Sequence, residues 1–158
     1  MKQTRTKSKS GFSLLELVVV ISILGILTAA AYPAYSKMQA HTQKNRNIAN
    51  MNVIRETFFQ YYYRMHLDGN PHFPTAPQNE ESVMNTAWAA TPIDSTISLV
   101  TPNDLFSTGD VPMNANGNPF YYNTTYQELP DGRMRHTIII EDRDDDSPSY
   151  NESLIYTI

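Results

Sequence analysis

Asp142, Asp144 and Asp146, three acids at alternate positions, are the clearest sign of chemistry in the chain. Carboxylates spaced this way could open a loop for a hard cation such as Ca²⁺, which takes about six to eight oxygen ligands. The EF-hand continuation is missing: Ser147 stands at the sixth position, where Gly is needed, and Ser153 at the twelfth, where Glu is needed. A solvated acidic turn accounts for the same residues without a ligand. Cysteine is absent, which removes disulfides, thiolate metal sites and a thiol nucleophile. His41, His66, His72 and His136 are scattered, with no His-Glu-x-x-His pair for zinc. There is no Gly-x-Ser-x-Gly motif and no glycine-rich phosphate loop, so the chain reads as non-enzymatic, with no cofactor required and calcium the one candidate. The other conspicuous acid is Glu16, at the head of an uncharged run from Leu17 to Ser36.

That run must position Glu16. Its 20 residues, at a rise of ~1.5 Å each, give a helix of ~30 Å, the thickness of a bilayer's hydrocarbon core. Lys2, Arg5, Lys7 and Lys9 precede it, a basic flank of the kind that stays on the cytoplasmic side. The phrase Lys9-Ser10-Gly11-Phe12-Ser13-Leu14-Leu15-Glu16, with the apolar run behind it, resembles the N-terminus of type IV pilins and of type II secretion pseudopilins. Gly25 and Pro33 fall where that family places its helix-softening residues.

The resemblance implies a leader, residues 1–11, removed after Gly11 by a prepilin peptidase, and methylation of the new Phe12 amine. It implies a transmembrane and polymerisation helix over 12–36 and a periplasmic head over 37–158. The subunit would sit in the inner membrane, then join a filament of its own copies and other pilins, working with an assembly platform. In that filament Glu16 would pair with a neighbour's Phe12 amine. Pro33 lacks an amide proton and is expected to kink or loosen the helix. The competing reading is a secreted binding domain whose ordinary signal peptide is cut after Ala31, because Ala29-Ala30-Ala31 also satisfies a small-residue cleavage pattern.

Beyond Pro33, Met51, Ile54, Phe58, Tyr61 and Met65 recur at spacings of three and four, which predicts an amphipathic helix over 37–67 that donates its apolar face to a core. Asp68-Gly69-Asn70-Pro71 ends it. Residues 68–118 read as a variable loop. Within it, one short helix is expected from an Asn79 cap through Glu80, Glu81, Val83, Met84, Ala87 and Trp88 to Pro92, and one short strand from Ile97 to Val100. Residues 119–158 read as an antiparallel sheet: Phe120 to Leu129 and Arg133 to Glu141 flank a Pro130-Asp131-Gly132 turn, and Leu154 to Ile158 follows. Asn116-Gly117-Asn118-Pro119-Phe120-Tyr121 resembles the turn that opens the sheet in major pseudopilins. The predicted class is α+β and pilin-like, a long N-terminal helix packed on three or four antiparallel strands.

Charge bears on partners. The net is −4, and without the leader's four bases eight remain against 16 acids, a net of −8. Such a balance disfavours nucleic acid, whose binding depends on Lys and Arg at phosphates. Aromatics at 11% with only 18% charged residues suit a folded head rather than a disordered tail.

Overall fold

The computed structural model describes residues 11–79, 81–85 and 101–158. The elements are α1 (Leu14–Leu67), α2 (Pro102–Leu105), β1 (Tyr121–Glu128), β2 (Met134–Glu141) and β3 (Ser153–Thr157). The chain divides into two compact units, Met1–Gln39 and Ala40–Ile158.

In the first unit α1 has apolar side chains on every side, and none is buried. Its most apolar stretch has a mean hydropathy of 2.5, enough in length and composition to cross a membrane. The few hydroxyls in it satisfy themselves: Ser22 Oγ donates to the Val18 carbonyl and Thr28 Oγ1 to that of Leu24, each at 2.7 Å. The helix continues through Gly25, Ala29-Ala30-Ala31 and Pro33 without interruption.

In the second unit the sequence has one apolar stripe, and that stripe is buried. Met51, Ile54, Phe58, Tyr61 and Met65 of α1 are all inside, as the three-and-four spacing predicts, and Tyr62, outside that set, is buried with them. They share a core with Phe73, Met84, Phe106, Val111, Phe120, Tyr122, Ile138 and Ile140. Phe58 meets Tyr122 edge-on at 4.6 Å, joining helix to sheet. Arg55 adds a polar tie from the same helix, donating to the Tyr156 hydroxyl at 2.7 Å.

The helix stops through backbone geometry. Gly69 takes φ +84°, Asn70 N–H bonds the Met65 carbonyl at 3.0 Å and Gly69 N–H that of His66 at 3.1 Å. These bonds form a Schellman cap, which needs a residue tolerant of positive φ. The three strands run antiparallel in the order β1-β2-β3, with Tyr122 opposite Ile140 and Ile139 opposite Ile155. The β1-β2 turn places Gly132 at φ +79°, as the Pro130-Asp131-Gly132 signal predicts.

One expectation in the loop needs correction. Residues 81–85 are not helical: Val83 bridges Tyr121, Met84 N–H bonds the Phe120 carbonyl, and Tyr122 N–H bonds that of Ser82. The edge of the sheet claims the backbone groups that a helix would need. Asn79 caps this extended segment, accepting from Val83 N–H at 2.9 Å and donating to the Val83 carbonyl at 2.8 Å. Ala87, Trp88, Pro92 and the Ile97–Val100 strand lie outside the described residues. Among the described residues of the loop the chain forms a helix, α2, where the sequence reading places none. It follows Thr101, whose N–H and hydroxyl both donate to Asp104 Oδ2, at 2.8 and 2.7 Å. Those two bonds hold the exposed Asp104 carboxyl below its ordinary value.

Candidate functional site

The N-terminal motif acquires local geometry from the helix that starts inside it. Ser13 is the N-cap of α1: its hydroxyl accepts from Glu16 N–H at 3.2 Å, and Glu16 Oε2 accepts from Ser13 N–H at 2.9 Å. This reciprocal arrangement is a capping box, and it also sets a carboxylate against the positive end of the helix dipole. Ser13-Leu14-Leu15-Glu16 carries that signature openly, and a reading of Glu16 as a membrane carboxylate alone overlooks it. One carboxylate oxygen is thereby committed within the chain, while Oε1 makes no hydrogen bond among the described residues. Phe12 is exposed beside the motif. A Cβ added at Gly11 would meet nothing within 4 Å, so nothing among the described residues demands glycine there.

The acidic loop is built on a different principle. Asp142 is fully buried and accepts from Ser147 Oγ at 2.6 Å, Ser149 Oγ at 2.5 Å, and more loosely from Asn47 and Asn114 amides at 3.4 and 3.3 Å. Asn47, inside α1, also donates to Ser147 and Ser149 and accepts from Ala115 N–H at 2.7 Å. A buried carboxylate must have its lone pairs met, and here neutral donors from three chain segments do so. This polar cluster fastens the loop to the helix.

Asp144 faces the Asn-rich turn. Its Oδ2 accepts from the side-chain amides of Asn114, Asn116 and Asn118 at 2.8 to 2.9 Å. Burial pushes its pKa up, but those amide bonds and the N–H of Asp146 outweigh it, leaving the carboxyl below its ordinary value. Asn114 Oδ1 in turn accepts from Asn116 and Asn118 N–H, and Gly117 adopts φ +84°, which shapes the turn before β1.

Of the predicted calcium trio, Asp142 is drawn into the buried cluster. The carboxylates that approach one another within 4.8 Å are those of Asp144, Asp145 and Asp146, a hard-oxygen set of the right chemistry for Ca²⁺. Beside them an open cleft of about 420 Å³ is lined by Glu81, Val83, Asn118, Pro119, Arg143 and Asp144. Arg143 is already engaged there, paired with Glu141 at 2.7 Å and stacked 3.3 Å from the Tyr121 ring centroid. No motif marks Asn47 as the partner of Ser147 and Ser149, because the two sides of that pairing lie about a hundred residues apart in sequence.

Comparison with known proteins agrees with the N-terminal motif. Residues 6–32 match the family model of the prokaryotic N-terminal methylation motif. A fimbrial protein of Pseudomonas aeruginosa is 39% identical over 49 residues, 31% of this chain and 32% of that protein. The type IV major pilin protein PilE1 of Neisseria gonorrhoeae is 32% identical over 74 residues, 46% of this chain and 35% of that protein. A fimbrial protein of Neisseria meningitidis serogroup B is 39% identical over 54 residues, 34% of this chain and 32% of that protein. The chain thus aligns with about a third of the length of these relatives. No solved structure matches it. The resemblance to type IV pilins therefore stands on the N-terminal segment, and the α+β layout of a long helix followed by a three-stranded antiparallel sheet is that of a pilin-like fold.

Proposed function

We propose that the chain is a non-enzymatic structural subunit of a type IV pilus-like filament. The carrying observation is a helix whose described apolar side chains over residues 14–39 are exposed on all sides, headed by Gly-Phe-Ser-Leu-Leu-Glu and matched by the methylation-motif model. A surface of that kind is stable only in lipid or against other apolar helices. Assembly then exchanges lipid neighbours for protein ones, with little net exposure of apolar area.

In this reading a prepilin peptidase cuts after Gly11, the Phe12 amine is methylated, and the subunit waits in the inner membrane with its head exported. Glu16 has two tasks. Its Oε2 closes the capping box, and its free Oε1 accepts from the Phe12 ammonium of an adjoining subunit, a pairing that the surrounding apolar helices shield from salt. The relatives are fimbrial and type IV major pilin proteins, which favours a pilus over a type II secretion pseudopilus. The assembly platform and other pilins are the expected partners. Calcium, where bound, would be held by Asp144, Asp145 and Asp146, with Asp142 fixing the loop from behind.

Glu16→Gln separates the two tasks, because glutamine can still close a capping box but carries no charge. Cells whose only copy is Glu16→Gln are expected to insert and process the subunit yet shed no filaments. Filaments of normal number and length from that variant would reject the pairing role and leave Glu16 as a cap.

A further inference from the structure

Strand β2 carries a histidine that the filament reading leaves unused. His136 is buried, and its Nε2 is the buried side-chain polar atom without a hydrogen-bond partner among the described residues. The ring sits edge-on to Tyr62 at 5.4 Å and against Phe73 at 6.5 Å. Its backbone is tied to Ile158 by two bonds of 2.9 Å, so the strand cannot easily turn the ring out to water.

Among the described residues, the side chains around its ring carry no negative charge. From α1 come the neutral phenol of Tyr62 and, stacked on that phenol, His66. From the segment after α1 comes His72, whose Nδ1–H donates to the Asn70 carbonyl at 2.7 Å while Nε2 accepts from the Tyr61 hydroxyl at 2.9 Å. On β1 the residue in register is Tyr126, exposed, and the neighbour on β2 is Arg135, a cation also exposed. No carboxylate pairs with His136 among the described residues.

We propose that His136 is an acid-sensitive latch between α1 and β2: neutral, it is quiet aromatic packing, and protonated, it places an uncompensated charge in an apolar pocket and loosens the head. Burial first, and the nearby His72 second, hold its pKa below the ordinary histidine value of 6.5. The unfolded chain therefore takes up the proton before the folded one does. The contribution of His136 is whole above pH 6.5, declines as the pH falls below it, and levels off under the folded pKa. Each unit between the folded and unfolded pKa raises the unfolding constant ~tenfold. Asp104, Asp131 and Asp144, whose pKa values lie below the ordinary 3.8, act in a separate and more acid window.

The test uses the full chain in detergent micelles, with histidine ring carbons labelled for NMR and thermal melting followed from pH 7.5 to 5. The His136 resonance should titrate below 6.5, and the melting temperature should fall across the same range. His136→Phe, which keeps an aromatic ring without a titrating nitrogen, should remove most of that fall. A His136 midpoint at or above 6.5, or an undiminished fall in His136→Phe, would overturn the latch. If His136→Phe does not fold, the wild-type titration decides alone.

Discussion

The two units of the chain solve the burial problem in opposite ways. In the Met1–Gln39 unit the described apolar side chains are all exposed, and Leu24 remains 56% exposed. In the Ala40–Ile158 unit the same helix shows one apolar stripe, and Met51, Ile54 and Phe58 on it are fully buried. The difference lies in pattern rather than in hydrophobicity. An all-round apolar helix needs an environment outside its own unit, whereas a stripe needs only one sheet to lie on. Mutations should therefore be felt in different assays in the two units.

The largest expected effect sharpens that contrast. Phe58→Ala, which removes a ring packed on Tyr122 and Phe106, should destabilise the head by ~3–5 kcal/mol in denaturant titrations of the detergent-solubilised chain. Leu24→Ala should change that value by less than ~0.5 kcal/mol while reducing filament yield. Equal destabilisation by both would mean that the first unit has a partner within the chain.

Next comes the buried polar cluster. Asn47→Leu strands Asp142, Ser147 and Ser149 without a shared donor and leaves Ala115 N–H unmet, which should remove about 1–3 kcal/mol. The same denaturation assay checks it, and an unchanged midpoint would show that the loop is not fastened through Asn47. Gly69→Ala is expected to be milder, near 1 kcal/mol, because alanine at φ +84° strains the Schellman cap but meets no atom within 4 Å.

The smallest effect concerns calcium. Millimolar Ca²⁺ should raise the melting temperature of the chain if Asp144, Asp145 and Asp146 bind it in the folded state only, and Asp145→Asn should erase the rise. Identical melting in calcium and in chelator returns these carboxylates to a solvated turn.

What was legible in the sequence had short range. The α1 stripe, the Gly69 stop and the Gly132 hairpin depend on residues within a turn or two of one another, and the structure reproduces them. The capping box at Ser13 and the Thr101-Pro102-Asn103-Asp104 start of α2 were equally local, and they show that polar residues beside helices are easily read only for charge. Val83 illustrates the opposite limit. Its neighbours suggested a helix, but the free edge of β1 captured its segment, a long-range competitor that no local pattern displays. Asn47 and Asp142 belong to the same class, since a buried amide and a buried acid become intelligible only when the fold brings them together.

The central claim, that Gly11-Phe12 is the processing junction of a filament subunit, is tested most directly by mass spectrometry of the N-terminal peptide from protein sheared off the cell surface. The account predicts a peptide beginning at N-methylated Phe12. A peptide beginning at Tyr32, as cleavage after Ala31 would leave, would contradict it.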